Sequence, residues 1–208
     1  LVKLINSSFI KPCKALDIGC GAGNDAIFMT KKGFDVTAID ISKRSIEEAK
    51  NRAEKASVYC KFLAEDITEL KSVSGKFDFV YDRGCFHFIP EEKREKYIQA
   101  VKNLLVKNGY FVLIISSEKD AIKGPYQFSK NDIKQLFGKD FAPNLSYHSN
   151  WANPYVVVSN VIDVPRNEFS FNYSNGFRTI FSRATVTESG TSWVEPDSID
   201  AQFYTDKF

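Results

Sequence analysis

Three aspartates and three glycines stand where chemistry could be done. Gly19, Gly21 and Gly23 fall within "LDIGCGAGNDA" (16–26), and Asp17, Asp40 and Asp66 each close a short apolar run. Glycine lacks a Cβ, so it permits a tight turn and lets a ligand touch the backbone. A helix beginning directly after the turn offers unpaired N–H groups to that ligand. Asp40 lies seventeen residues beyond Gly23, where an acid can accept hydrogen bonds from both hydroxyls of a ribose. Asp66 suits an exocyclic adenine amine. Asp17 could face an ammonium group, directly or through water. The glycines read G-x-G-x-G, not the G-x-G-x-x-G of a dinucleotide fingerprint, and Asp25 follows at the helix start, where a pyrophosphate would meet a negative charge. Taken singly, each acid can be a turn or cap residue and the glycines a packing turn. Together they describe a pocket for a phosphate-free adenosine carrying an amino acid.

The elements that must hold these residues can be read from period and punctuation. Residues 13–18 ("CKALDI") predict a buried strand, and "GNDAIFMTKKG" a helix stopped by Gly33. Further strands are predicted at 34–40, 58–66, 76–82 and 110–116. Ser42 caps a helix with Ile46, Ala49, Ala53 and Ala56 on one face. Pro90 begins another helix, whose buried face is Tyr97, Ile98, Val101, Leu104 and Leu105 and which Gly109 ends. Alternating strands and helices imply βαβ units, a parallel sheet and helices on both faces. Ligands of such sheets bind beyond the carboxyl ends of the strands, which singles out 17–25, 40–42, 65–67, 82–87 and 116–118. After residue 120 a short helix (129–138, capped by Ser129) precedes two antiparallel strands in 144–151 and 154–164. The stretch 166–208 is β-rich, with a hairpin signal at Asn175–Gly176. Two units follow: 1–163, which would hold the cofactor, and 164–208, a β-rich extension.

Bulk properties narrow the classes. The chain has 208 residues, 43% hydrophobic and 26% charged, enough for a real core. A net charge of +2 gives no electrostatic reason to expect nucleic acid or an anionic membrane as partner. The opening "LVKLINSSFIKP" does not read as a signal peptide, and the four scattered cysteines with two histidines suggest reduced thiols and no metal site. The expectation is a cytoplasmic protein.

The chain resembles a class I S-adenosylmethionine-dependent methyltransferase from about residue 12 to about 138. "LDIGCGAGNDAIFMTKKGFDVTAIDIS" resembles that family's first two motifs, "FLAEDI" its adenine-contact motif, and "FDFVYDRGCFHFIP" with "LLVKNGYFVLII" its fourth and fifth strands. "YDRGCFH" and "GPYQFSKNDIKQLFG" are similar to small-molecule methyltransferases of the thiopurine and tellurite-resistance type, whose acceptors are often soft sulfur, selenium, tellurium or halide atoms. The resemblance implies a Rossmann-like, doubly wound, mostly parallel seven-stranded sheet with a C-terminal antiparallel hairpin at 144–163. It implies S-adenosylmethionine as cofactor: the loop of Asp17, Gly19, Cys20, Gly21 and Gly23 on the methionine end, Asp40 and Ile41 at the ribose, Asp66 and Ile67 framing the adenine, and Asp82 closing the site near the sulfonium. Family members usually carry more residues before the first strand, often as a lid; about a dozen precede it here. The tail has no counterpart in the family pattern and could be an added sheet or a homodimer contact.

Methyl transfer from a sulfonium is an in-line displacement that needs alignment and exclusion of water, not a metal. His87, after the fourth strand, could act as base or position the acceptor, or simply pack at a helix start. Arg83 could attract an anionic acceptor or pair with Asp82 or another acid. Cys85 and Cys20 read as small packing residues, and His148 and Trp151 as surface or core. "NPY" (153–155) is a turn, not the motif of DNA amino-methyltransferases, which belongs after the fourth strand. Two other readings stay open: a module that binds S-adenosylmethionine without catalysis, and a nicotinamide-dependent oxidoreductase, against which the loop spacing argues.

Overall fold

The structure, a computed structural model, describes residues 1–6, 8–115, 126–138, 141, 144–146, 155–159, 184–187 and 190–193. A short helix α1 (Val2–Asn6) leads into β1 (Lys14–Ile18), α2 (Asn24–Lys31), β2 (Asp35–Asp40), α3 (Lys43–Lys55) and β3 (Lys61–Ala64). The chain continues through β4 (Phe77–Arg83), α4 (Glu91–Leu104), β5 (Leu105–Ile115), α5 (Lys130–Phe137), β6 (Asn144–Ser146) and β7 (Tyr155–Ser159). Seven strands form one sheet in the order β3-β2-β1-β4-β5-β7-β6. The first five strands are parallel, and β7 pairs antiparallel with both β5 and β6. This is the doubly wound architecture with its C-terminal antiparallel strands that the sequence predicts.

Strand side chains alternate, and both faces of the sheet are buried. Leu16, Ile18, Val80, Phe111 and Leu113 pack with Ile98 and Val101 of α4 and Ile133 and Phe137 of α5. Ala15, Val36, Ala38, Phe79, Tyr81 and Val112 pack with Ile5 of α1, Met29 of α2 and Ile46 and Ala49 of α3. Both layers are needed because a parallel sheet must cover both faces. Ser42 caps α3, accepting from the Ser45 amide, and Ser129 and Asp132 form a capping box on α5. The chain leaves β1 toward β2 and β3 on one side and returns to β4 on the other. The loops after β1 and β4 therefore flank a crevice, the place where such sheets take ligands.

Four expectations are corrected. Gly109 does not end α4; the helix stops at Leu104 and Gly109 lies within β5. A Cβ there would sit 2.9 Å from Leu105 Cδ1 and 3.0 Å from the Asp78 carbonyl oxygen, beside the irregular pairing between Phe77 and Phe79. That glycine marks a close backbone approach at a bulge, not a helix stop. Pro90 is the N-cap of α4, not its first residue. Ala56 is the partly exposed C-cap of α3, outside its buried stripe. The third strand is four residues long, since Tyr59 before it is exposed and Asp66 after it opens a 3₁₀ turn.

In the tail, β8 (Ala184–Thr187) and β9 (Gly190–Trp193) pair antiparallel with each other and, among the described residues, not with the main sheet. The hairpin signal at Asn175–Gly176, His148, Trp151 and the strand-end positions 116–118 lie outside the described residues. Among the described residues no helix is long and apolar enough to cross a membrane.

Candidate cofactor-binding site

Three glycines of one loop do two different jobs. All three have positive φ, +67° at Gly19, +53° at Gly21 and +77° at Gly23, a backbone region that suits glycine. A Cβ on Gly19 would lie 2.6 Å from Cys85 Cβ, so this glycine lets the β1 and β4 loops touch. A Cβ on Gly23 would lie 2.9 Å from Ala49 Cβ and 3.1 Å from the Phe62 ring, so this one seats the loop on α3 and β3. Over Gly21 there is nothing within 4 Å. Gly19 and Gly23 are packing residues, and Gly21 is the position a ligand can approach. Arg52 of α3 ties the loop from behind, donating to the Ala22 carbonyl (3.3 Å) and to Asn24 Oδ1.

The acids at the strand ends differ in what they have left to give. Asp40 accepts from the Gly21 amide through Oδ2 (2.9 Å) and from the Ser42 amide through Oδ1 (2.8 Å). Each carboxylate oxygen has two acceptor sites, so both retain one beyond these bonds. Ile41 beside it is 74% exposed, an apolar surface at the rim. Asp66 caps the turn Ile67–Glu69, accepting from the Thr68 amide and hydroxyl, with Lys93 Nζ 3.4 Å from its other oxygen. Partial burial works to raise its pKa, but the bonds from Thr68 and Lys93 outweigh it and hold the carboxyl below the ordinary range. Ile67 is only 4% exposed and turns its side chain into the core, so it can frame an adenine through its backbone alone.

Asp17 is 2% exposed, and its Oδ2 is buried without a hydrogen-bond partner. Burial first, then the carboxylates of Asp25 and Asp82, push its pKa well up; Arg83 and the Ala26 amide oppose them. An acceptor of this kind is ready for a cation or another donor.

The turn after β4 gives Asp82 internal partners. Its carboxylate is 0% exposed and accepts from the Cys85 amide (2.7 Å), the Phe86 amide (3.0 Å) and the Tyr97 hydroxyl. Burial pushes its pKa up to about 7 against these bonds. Its oxygens take donors from the turn and from Tyr97 of α4, so it shapes that turn. That turn carries Cys85, pressed on Gly19, and His87, whose Cε1 is 3.3 Å from where a Cβ of Gly84 would stand and whose ring lies 4.6 Å from that of Phe88. Burial pushes the Cys85 and Cys20 thiols up, with nearby carboxylates adding, so both are packing thiols rather than nucleophiles. Arg83 pairs with Asp25, not Asp82: its Nε lies 2.7 Å from Asp25 Oδ2. Among the described residues no group of histidines, cysteines and acids is arranged to hold a metal.

The chain is similar to known proteins. Residues 15–109, which span β1 to β5 and hold every site residue above, match a family model described as "Methyltransferase domain". An uncharacterized methyltransferase of Schizosaccharomyces pombe (C750.03c) is 36% identical over 132 residues, covering 58% of this chain and 90% of that protein. The chain belongs to the class I S-adenosylmethionine-dependent methyltransferases. A "Probable S-adenosyl-L-methionine-dependent methyltransferase TehB" of Haemophilus influenzae is 27% identical over 148 residues, 69% of this chain and 51% of that one. The methyltransferase chain thus spans about half the length of that relative. A solved structure of Burkholderia thailandensis 1,6-didemethyltoxoflavin-N1-methyltransferase with bound 1,6-didemethyltoxoflavin and S-adenosylhomocysteine has the same fold, with a TM-score of 0.63 at 22% identity over 77% of this chain and 76% of that one.

Three polar residues that shape the site carry no local sign of that role in the methyltransferase sequence. Tyr97 was visible only as part of an apolar helix face, although its hydroxyl is the hidden donor to Asp82. Tyr81 was visible only as strand apolarity, although its hydroxyl is buried without a partner. Arg52 sits on a charged helix with no local sign that it reaches back thirty residues to Ala22.

Proposed function

We propose that this chain transfers the methyl group of S-adenosylmethionine to a small-molecule acceptor. One observation carries the reading: the clear space over Gly21 is bordered by Asp40, with acceptor capacity to spare, in a site that also holds the unpartnered Oδ2 of Asp17. A neutral ribose and a cationic arm suit those acceptors; a pyrophosphate does not. In this assignment the loop of Asp17, Gly19, Cys20, Gly21 and Gly23 holds the methionine end, with Gly21 facing it and Gly19, Cys20 and Gly23 seating the loop, while Asp40 and Ile41 hold the ribose and Asp66 with the Ile67 backbone the adenine. Bound there, the sulfonium supplies an activated methyl group. The protein's part is to fix the nucleoside and to present the acceptor from the β4 side. His87 is the positioning group or base on that side, carried by the turn that Asp82 shapes.

The finer reading is a soft sulfur, selenium, tellurium or halide acceptor. The "YDRGCFH" stretch supports it, and such nucleophiles need no strong base. The same reading takes 1–163 as the cofactor-binding domain and 164–208 as an extension through which two copies could pair, supported by a β8–β9 pair that joins no other strand among the described residues. Incubation with S-adenosylmethionine and a panel of thiols, halides, chalcogen oxyanions and heterocyclic nitrogens, followed by mass spectrometry, tests the activity. A product in which methyl has replaced the thiol hydrogen, or has been added to a chalcogen or halide anion, is expected. Cofactor binding with no methylated product would favour the non-catalytic module instead.

A further inference from the structure

β5 ends on the same sheet edge as the turn after β4, and residues 126–129 form a strap that leads into α5. The strap is well fixed. Arg94 of α4 stands over the rings of Tyr126 and Phe128, 4.8 and 4.9 Å from their centroids, and its Nε donates to the Ile89 carbonyl (3.4 Å). Phe128 packs on Phe86, the residue before His87, with ring centroids 5.2 Å apart. The Ser129–Asp132 capping box holds the far end. Yet Gln127, in the middle of this strap, has a buried Nε2 with no hydrogen-bond partner. A buried amide donor without an acceptor is costly and calls for one. Tyr126 and Phe128 both turn to Arg94, so Gln127 between them projects from the strap's other side, away from α4.

We propose that Gln127 is a specificity-determining residue for the methyl acceptor: its amide N–H donates to a carboxylate or carbonyl oxygen that the acceptor carries beside the soft atom that takes the methyl group. The strap rests on the turn that carries His87, the side from which the acceptor is presented. A donor on a strap anchored by a cation between two rings is held still, as a selective donor must be. The amide is neutral, so it selects by hydrogen bonding. An acceptor without the oxygen leaves the donor unpaired, and that unpaired donor rejects it. Gln127 thus grips what a soft nucleophile cannot offer by itself, since sulfur is a weak hydrogen-bond acceptor. This inference rests on the proposed function and narrows its acceptor to soft nucleophiles that bear such an oxygen.

Steady-state kinetics of the full chain with matched thiols test it. Mercaptoacetate, mercaptoacetamide and mercaptopropionate carry the oxygen; ethanethiol and propanethiol do not. Wild type is expected to favour the first group by at least about tenfold in kcat/KM. Gln127→Leu should cut that preference about tenfold, chiefly through KM, while the Kd for S-adenosylhomocysteine moves less than about twofold. Gln127→Glu keeps the shape and removes the donor. It should lose the same preference, most completely for the two carboxylates, and it decides the matter should Gln127→Leu fold poorly. A wild type without the preference, a preference that survives both substitutions, or an equal loss on both groups overturns the role of Gln127. So does a wild type that methylates other soft acceptors and none of the oxygen-bearing thiols, which leaves the proposed function standing. A wild type that binds S-adenosylhomocysteine and methylates nothing overturns the proposed function, and this inference with it.

Discussion

Asp82 and Asp40 are the same residue type at equivalent places, the ends of neighbouring-but-one strands on one sheet edge, and both accept from backbone amides of the loop that follows. Yet Asp82 is fully buried with three donors committed to it, while Asp40 is only partly buried and keeps acceptor capacity on both oxygens. The first carboxylate has its donors within the protein; the second, in the proposed assignment, has room for a ligand's. The contrast comes from the third donor. Tyr97 closes Asp82 from α4, and no helix offers a comparable hydroxyl to Asp40 among the described hydrogen bonds. A strand-end acid is thus read as structural or binding by who else can reach it, not by its place in a motif.

Removing the structural member should have the largest effect. Asp82→Ala leaves two amides and a buried hydroxyl without their acceptor, and it is expected to destabilise the fold by about 3–5 kcal/mol in urea titration. The same carboxylate predicts a pH signature. Its folded pKa of about 7 stands above the ordinary 3.8, so the folded state holds a proton that the unfolded chain releases. That stabilisation is complete below the unfolded pKa and is lost as pH rises through about 7. Wild-type stability should therefore fall by about 3 kcal/mol more than that of Asp82→Asn between about pH 5 and about pH 8. Asp17 is raised in part by the Asp82 charge, so the comparison is made with Asp17→Asn in both proteins, and Asp66 and Glu65, held low, titrate below that window. Parallel pH profiles for the two proteins would show that Asp82 carries an ordinary charge.

The fold was legible because its signals are local and repeated. Buried strands such as Leu16–Ile18, the Ser42 cap and the Ser129–Asp132 box all sit within a few residues of what they organise. Gly109 misled because a glycine after an apolar helix face is a common stop, whereas this one serves an approach between β5 and the Asp78 carbonyl that only the sheet creates. In the site, the glycine loop and the three strand-end acids could be read from spacing. The division of labour among them could not. Whether Gly19, Gly21 or Gly23 faces a ligand depends on Cys85, Ala49 and Phe62, which come from other elements. Likewise the hydroxyl of Tyr97 is invisible to a hydrophobic periodicity that counts it as core.

The glycines give the next largest contrast. Gly19→Ala must displace Cys85 as well as adopt a strained φ, and about 2–4 kcal/mol of stability should be lost. Gly21→Ala meets only the strain, about 1 kcal/mol, since nothing lies within 4 Å of the added methyl. Binding should invert the order: in calorimetry with S-adenosylhomocysteine, Gly21→Ala folds well and binds at least about tenfold more weakly, its methyl occupying space the ligand needs. Two variants losing stability and affinity in proportion would mean that the loop acts only as a packing turn.

Asp40→Ala should weaken S-adenosylhomocysteine by about 1–3 kcal/mol through lost bonds to the ribose hydroxyls. Its melting temperature should change far less than that of Asp82→Ala, because its amide partners can turn to water. A 2′-deoxyribose analogue sharpens the test: it should bind the wild type more weakly and Asp40→Ala no more weakly than the parent nucleoside does. Unchanged affinity on removal of the carboxylate would move the ribose away from β2.

The smallest effect is expected at Arg52, which stands behind the loop and touches no ligand in the proposed arrangement. Its bonds to the Ala22 carbonyl and Asn24 Oδ1 fix the far side of the turn whose near side is the Gly21 amide. Without them the loop must be ordered by the ligand, which subtracts from binding rather than from folding. Arg52→Ala should therefore raise the Kd for S-adenosylhomocysteine by about threefold to fivefold, roughly 1 kcal/mol, with a smaller change in unfolding free energy. Arg52→Lys, which keeps the charge and one donor direction but not the fork, should recover only part of the loss. A full recovery by lysine would mean that the positive charge, not the two-point tie, holds the loop.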